Sequence, residues 1–463
     1  MRKPDKLLLI VMIACLLGSM YTGCTGAGMS AGQDTSVTAH ARASAAKEPV
    51  YLTYAGWGTA NEKNVTQKAI DSFNEKNENV KVFYMHIPTD YSTKMATLAA
   101  ANQLPDVFMF FKDISAKWGE QGFLFNLKEL LEKDKDIDES KLIPNALLKI
   151  SDDKVMGIKI CEEVFANYYN VDMFREAGVE MPPAAADKAW SWDRFVEICK
   201  RMTLDENGNN ALSPNFDPDS IKQYGVRFNR WMWSLFFNSN QTSIVTSDKS
   251  KLNLTDPAVT ESVQMLADLI NVHHVAPTLT EEKDIPNPSV ALQSRKVAMD
   301  LDGQWINVDL GTAGMNFDVG VLPKVKVPST EQFGEMIVMS GQVRHREEAW
   351  KLLKWMINPE VNIDIYKSGL WMPIVKEWYT DPQLLARWAT VKPGHPSGFK
   401  TAVVDVLLEH GYNNHGYWLK NSQEINVDIN AALDDVWLGL KSTADAFREL
   451  EPKIAKKYKG VYD

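Results

Sequence analysis

Tryptophans and carboxylates recur beside glycines in this chain. It contains 14 Trp; Trp57 stands between two glycines, and Trp305 ends the segment MDLDGQW, in which Asp302 precedes Gly303. A pyranose has an apolar C–H face that packs on aromatic rings, and hydroxyls that bond to carboxylates, amides and arginine. The pattern therefore predicts a cleft for a sugar or oligosaccharide rather than for an ion or a single amino acid.

Other candidate contacts stand in turns or at the ends of predicted strands, where the carboxyl ends of parallel strands face a ligand crevice. Besides Trp57, Asp302 and Trp305, the residues predicted from this context are Lys112, Arg230, Trp231, Trp371 and Trp418. A place in the apolar core is the alternative for each tryptophan, because one ring serves either purpose.

Alternating strand and helix patterns must position these side chains. Residues 50–55, 80–87 and 106–111 are rich in β-formers, while residues 62–74 and 91–101 carry apolar residues at helical spacing. This order predicts an α/β fold in which parallel strands are joined by crossover helices. A body of some 415 residues exceeds one core and indicates two domains.

The N-terminus has the features of an export signal. Three basic residues, Arg2, Lys3 and Lys6, precede an apolar run of about a dozen residues that is too short to span a bilayer. The run ends near Gly23-Cys24, which resembles a bacterial lipobox, although Tyr21 stands where Leu is usual. We expect a signal peptide at 1–23, a lipid-modified Cys24 and a flexible tether at 24–48; an ordinary signal cut elsewhere is the alternative.

Composition narrows the possible partners. The net charge of −10 disfavours nucleic acid, which needs clustered cations. Cys161 and Cys199 lack the CxxC spacing of a metal site, so two buried free thiols are expected, with a disulfide as the alternative. No cofactor is predicted.

A series of short motifs resembles the extracellular solute-binding proteins of ABC importers, in the branch that includes maltose-binding protein. Each motif is weak alone, but their shared order covers nearly all of residues 50–463. The motifs are an aromatic-ended strand at 54–57, FNEKN at 73–77, VKV at 80–82, Tyr91 and Lys94 with LPDV at 104–107, Trp118 with Gln121, Gly122 and Leu124, Tyr169-Asn170 with Phe174 and Ala177-Gly178, Pro182-Pro183 with WDRF at 192–195, KVAM at 296–299 with Gly303 and Trp305, and EEAWKLLKW at 347–355.

The resemblance implies a two-lobe periplasmic-binding-protein-like fold with discontinuous lobes and a ligand cleft between them. Lobe one would comprise 49–160 and 338–370, and lobe two 161–337 and 371–463. It also implies that Phe110, Asp113 and Glu163 contact ligand. The expected protein is a monomeric lipoprotein on the outer face of the cell membrane, which captures a sugar or oligosaccharide and delivers it to a membrane permease.

The residues alone leave several competing functions open. Glu163 with Asp113 or Asp302 could form the carboxylate pair of a glycoside hydrolase, but no GxSxG, HExxH, P-loop or GxGxxG motif is found, and no catalytic residue is predicted. Asp205, Asn207 and Asn209 begin like a Ca²⁺ loop, yet Gly208 is misplaced, so no metal site is predicted. The same fold could instead bind a glycerol phosphate ester or a polyamine, or serve as a surface adhesin or sensor partner.

Overall fold

The computed structural model describes residues 48–285 and 287–462. The predicted signal peptide, the lipidation site Cys24 and nearly all of the predicted tether lie outside the described residues. Among those residues, no helix has the length and apolar content needed to cross a bilayer.

The strands and helices alternate through most of the described chain. The strands are β1 (Val50–Gly56), β2 (Val80–His86), β3 (Val107–Phe110), β4 (Leu147–Ser151), β5 (Lys154–Lys159), β6 (Glu163–Asn170), β7 (Leu204–Asp205), β8 (Ile221–Phe228), β9 (Val297–Gly303), β10 (Phe317–Gly320), β11 (Thr330–Phe333), β12 (Met336–Met339) and β13 (Gly411–Asn413). The helices are α1 (Ala60–Lys76), α2 (Tyr91–Ala100), α3 (Lys112–Glu120), α4 (Lys128–Lys133), α5 (Val171–Ala177), α6 (Trp192–Met202), α7 (Pro257–Asn271), α8 (Pro288–Gln293), α9 (Ile306–Thr312), α10 (Arg346–Ile357), α11 (Ile363–Lys367), α12 (Glu377–Thr380), α13 (Pro382–Ala386), α14 (Val406–His410), α15 (Ser422–Trp437) and α16 (Thr443–Ile454).

The first sheet has the strand order β2-β1-β3-β12-β5-β4. Strand β1 pairs in parallel with both β2 and β3, as the alternation of strands and helices predicts. Strand β12 comes from much later in the chain and joins β3 in antiparallel register. We call this sheet, with the helices α1–α4, α10 and α11, lobe one.

The second sheet has the strand order β13-β11-β6-β9-β8-β7, and β10 also pairs with β6. Every residue of β6 and of β9 is buried, which is typical of central strands covered on both faces. Two acids of β9, Asp300 and Asp302, therefore lie inside the fold. We call this sheet, with α5–α9 and α14–α16, lobe two.

Two of the sequence motifs have simple structural explanations. Asn170 caps α5 by accepting hydrogen bonds from the amides of Asp172 and Met173, and Gly178 ends the helix, so the Tyr-Asn and Ala-Gly pairs mark its two ends. The motif at 347–355 forms α10, in which Trp350 is buried and donates its indole hydrogen to Asp134 at 2.7 Å.

The chain passes between the sheets at residues 160–163 and 333–336, where the amide of Ile160 donates to the carbonyl of Glu335 at 2.8 Å. Glu162 and Met372 exchange backbone hydrogen bonds of 3.0 and 3.2 Å beside these passages. Residues 374–376 still pair with 141–143 of lobe one. We propose that these strands form the hinge and that the third passage follows residue 376, later than the expected 371.

Candidate ligand-binding cleft

A cleft of about 1060 Å³ lies between the two lobes. Lobe one contributes the carboxyl end of β1, the start of α1 and the turn from β3 into α3. Lobe two contributes the start of β6, the turn from β9 into α9, and the segment that precedes α15. Its volume slightly exceeds the usual range of small-molecule sites, about 300–1,000 Å³.

Seven of the eleven predicted contact residues line this cleft. They are Trp57, Lys112, Asp113, Glu163, Trp231, Trp305 and Trp371. They come from separate stretches of sequence, so the fold assembles them rather than any local motif.

Phe110 is not on the cleft wall. It is fully buried among the side chains behind β3, with its ring centroid 4.6 Å from that of Trp118. We therefore assign Phe110 to the core. The neighbouring Phe111, which the sequence pattern did not single out, lines the cleft and stacks on Trp57 at 4.8 Å with an interplanar angle of 26°.

Trp418 also lies away from the wall, packed against the core of both lobes, and donates its indole hydrogen to the carbonyl of Asn413 at 3.3 Å. Tyr417 takes its place in the cleft and donates its hydroxyl hydrogen to the carbonyl of Gly334. The nitrogen of Lys112 lies 4.6 Å from the Tyr417 ring centroid, a cation–π contact between the lobes.

Arg230 and Asp302 belong to a polar network inside lobe two. Arg230 pairs with Glu282 and donates to the carbonyl of Pro277 at 3.2 Å. Asp302 is fully buried and accepts hydrogen bonds from Asn229 at 3.1 Å and from the Gly303 amide. Both groups are committed to partners inside the protein, which explains why neither reaches the cleft.

Trp231, Trp305 and Phe333 belong to the wall on lobe two. Trp231 and Trp305 lie nearly parallel, with an interplanar angle of 25° and centroids 6.5 Å apart. Phe333 packs edge-on against Trp231, and the buried Phe165 packs edge-on against Trp305. Trp231 is 48% exposed, unusually open for an indole. The Trp305 ring lies over Gly303, where an added Cβ would stand 2.1 Å from it.

A smaller aromatic wall faces it from lobe one. Besides the stack on Phe111, Trp57 packs on Tyr91 with centroids 4.7 Å apart. Tyr91 is held by a 2.7 Å hydrogen bond from its hydroxyl to the carbonyl of Met109. The cleft thus offers apolar platforms on both sides.

Three carboxyl groups stand among these platforms: Glu163 is buried, and Glu62 and Glu335 are half-buried. Burial raises the pKa of Glu62 to about 7 and, with the nearby Glu62 charge, raises the pKa of Glu163 to about 8. Burial and the charge of Glu163 also raise the pKa of Glu335, which the sequence pattern did not single out. Near neutral pH such carboxyls both donate and accept hydrogen bonds, which suits the hydroxyls of a neutral ligand.

Lys112 brings a basic side chain to this part of the cleft. Burial, and then the charge of Lys159, lower its pKa to about 7. Lys159 itself is fully buried and pairs with Glu162 at 2.8 Å. Both lysines lie close to the ring of Tyr417, and the Lys159 nitrogen is 4.7 Å from its centroid.

The described residues contain no group of three or more His, Cys, Asp or Glu placed to hold a metal ion. The carboxylate of Asp205 instead accepts hydrogen bonds from the Asn209 amide at 2.8 Å and the Asp217 amide at 3.1 Å, which closes a polar turn. Cys161 and Cys199 are buried free thiols, as expected.

Comparison with known proteins gives a consistent result. The model of the bacterial extracellular solute-binding protein family matches residues 68–393. The melibiose/raffinose/stachyose-binding protein MelE of Bacillus subtilis is 22% identical over 318 residues, which cover 64% of this chain and 65% of that protein. A Brucella abortus protein named only as a binding protein is 23% identical over 269 residues, which cover 55% of this chain and 59% of its own length.

Solved structures show the same architecture. An ABC substrate-binding protein from Listeria monocytogenes, in complex with cycloalternan, has a TM-score of 0.76 at 23% identity, and the match covers 89% of this chain and 99% of that one. At this identity the likeness establishes the fold alone, and it confirms the predicted two-lobe α/β architecture. The family match extends over most of the chain, and the protein therefore belongs to the bacterial extracellular solute-binding proteins.

Proposed function

We propose that the protein captures a sugar or oligosaccharide in the cleft and delivers it to the membrane permease of an ABC importer. The observation that carries the proposal is the pairing of two facing aromatic walls, Trp57 with Phe111 and Trp231 with Trp305, around carboxyls of raised pKa. Aromatic faces pack on the apolar face of a sugar ring, while the carboxyls bond to its hydroxyls. The similarity to MelE of Bacillus subtilis, whose name specifies melibiose, raffinose and stachyose, supports this assignment.

Capture would require movement of the lobes, because ligand in the middle of the cleft contacts both of them. A ligand shifts the equilibrium toward the closed form only by its greater affinity for that form. The closed form is then the state that the permease recognises. We infer no catalytic step, and incubation of the protein with its glycan should release no reducing sugar.

The remaining parts of the proposal concern location. We propose that Cys24 carries the lipid anchor and that a monomer works on the outer face of the cell membrane. Metabolic labelling with a fatty acid analogue should mark the wild-type chain and leave Cys24→Ser unlabelled.

A thermal-shift screen against a panel of oligosaccharides tests the binding proposal, with spermidine and glycerol phosphates as counter-ligands. A ligand at 100 times its Kd stabilises by about 2.7 kcal/mol, which is readily visible as a raised Tm. Trp305→Ala should abolish the shift. Trp192→Ala is the control, since Trp192 is half-buried but packs on Phe195 and Phe236 away from the cleft.

The outcomes separate the competing functions. A shift with one class of glycan that survives in Trp192→Ala and disappears in Trp305→Ala supports sugar capture. A shift with spermidine or glycerol phosphate alone transfers the function to a non-sugar solute. Stabilisation by a glycan that persists in Trp305→Ala would contradict the assigned platform.

A further inference from the structure

Side chains of the two lobes bond directly to each other across the cleft. On one side, Asp309 of α9 accepts a 2.7 Å hydrogen bond from the Asn61 amide group and a 3.2 Å hydrogen bond from the Thr59 hydroxyl. Thr59 caps α1 in lobe one, and its backbone amide donates to Glu62 at 2.7 Å. This contact therefore joins the start of a lobe-one helix to a lobe-two helix.

A second set of contacts lies where α3 meets α15. The Lys117 nitrogen is 2.5 Å from a carboxylate oxygen of Glu424, and both side chains are 44% exposed. The hydroxyl of Ser422 donates to Asp113 at 3.2 Å. Asp113 lines the cleft, so a lobe-two residue fixes the orientation of a lobe-one acid.

Three of the bonding side chains, Lys117, Glu424 and Asn61, do not line the cleft, although Asp309 does, so a solute held in the cleft does not replace these contacts. Their bonds exist only when the lobes are close together, because each joins elements of different sheets. The free energy of these bonds therefore stabilises the closed form and not the open form.

We propose that Asn61–Asp309 and Lys117–Glu424 act as two latches that draw the lobes together before ligand arrives. They are positioning residues: they raise the population of the binding-competent form, and the apparent Kd falls in proportion to that population. The inference depends on the two-lobe geometry rather than on the identity of the solute, so the failure of the sugar proposal would leave it standing.

Small-angle X-ray scattering of the ligand-free protein tests the proposal directly. Glu424→Gln and Asn61→Ala should each increase the radius of gyration. Loss of the Asn61–Asp309 hydrogen bond shifts a closure equilibrium by roughly 2- to 10-fold, and loss of the exposed Lys117–Glu424 pair shifts it by up to about 5-fold. High salt should open the wild type through the Lys117–Glu424 pair and have little further effect on Glu424→Gln. Glu129→Gln is the matched control, since Glu129 pairs with Lys133 at the same 2.5 Å within α4 alone.

A charge exchange separates closure from simple destabilisation. Lys117→Glu and Glu424→Lys should each open the protein, and the two substitutions combined should restore the wild-type radius of gyration. An unchanged radius in Glu424→Gln and Asn61→Ala, or a double exchange that stays as open as the single variants, would overturn the proposal. Tm measurements on every variant show whether any of them has lost its fold.

Discussion

Trp231 and Trp233 are two residues apart and differ sharply in burial. Both border the cleft, but Trp231 is 48% exposed, whereas Trp233 is 2% exposed and packs on Phe237 and Phe447 inside lobe two. We expect Trp231→Ala to weaken glycan binding by 10-fold or more while leaving the free energy of unfolding nearly unchanged. Trp233→Ala should cost about 3–5 kcal/mol of stability, because it removes a large buried side chain. Isothermal titration and urea unfolding of both variants measure the two effects separately.

The cleft carboxyls make stability depend on pH in a predictable direction. Glu62 and Glu163 have folded-state pKa values of about 7 and about 8, above their ordinary value of 4.5, so the folded protein holds protons that the unfolded chain releases. The stabilisation that these two groups give to the folded state is fully present below about pH 4.5 and is lost as the pH rises through 7 and 8. The part of the unfolding free energy that belongs to these groups should therefore fall between pH 5 and pH 8.

Glu163→Gln isolates this contribution, because the amide cannot ionise. Tm measured against pH should fall less steeply from pH 5 to pH 8 in Glu163→Gln than in the wild type. Glu129→Gln should keep the wild-type slope, since the pKa of Glu129 is lowered by Lys133 on an exposed helix. Parallel curves for wild type and Glu163→Gln would show that the carboxyl is not desolvated in solution.

The residue types in the sequence indicated aromatic rings and carboxyls in the cleft, but they did not identify every residue that lines it. Phe110 and Phe111 follow one another where all four residues of β3 are buried, so no alternation distinguishes the two faces. Tyr417 and Trp418 are likewise adjacent in a short turn, where the sequence pattern does not show which ring faces the cleft. Glu335 could not be selected because its role depends on Glu163, which lies far away in sequence.

At the level of elements, Gly334 in the hinge passage has the most demanding backbone. Its φ is +138°, and an added Cβ would lie 2.2 Å from the carbonyl oxygen of Cys161. Gly334→Ala should therefore lower stability by several kcal/mol or block folding, because both the dihedral and the backbone contact oppose it. Chemical denaturation of the purified variant, or its yield in soluble form, measures the loss.

Gly314→Ala is the appropriate control for this substitution. Gly314 also has a positive φ, +66°, but nothing lies within 4 Å of an added Cβ. The expected cost is about 1–2 kcal/mol from the dihedral alone. Equal losses in the two variants would contradict the steric role given to the Cys161 carbonyl.

Local elements were largely predictable, while their assembly was not. Apolar periodicity indicated β1, α1, β2, α2 and β3, and all five are present at close to the expected bounds. Strand β12 joins the same sheet from more than 200 residues later in the chain. Periodicity reports which face of a segment is buried and carries no information on its partner, so only the family resemblance indicated discontinuous lobes.

For the whole molecule, the two lobes share apolar packing as well as hinge strands. One continuous core cluster includes Leu52 and Ile337 of lobe one together with Tyr168 and Val319 of lobe two. We expect a single cooperative thermal transition with equal calorimetric and van't Hoff enthalpies, because neither lobe can unfold without exposing the shared core. Differential scanning calorimetry measures this, and two resolved transitions would show that the lobes unfold independently.

The position of β1 determines which part of the protein can act as a fixed support. The described chain enters lobe one just before Val50, and the cleft begins at Trp57, one strand length or about 23 Å away. A protein immobilised on a sensor chip through the residues before Glu48 would be held at the end of β1 remote from the ligand. Lobe one would then serve as the stationary frame and lobe two as the moving arm, so a dye on lobe two would report solute in real time.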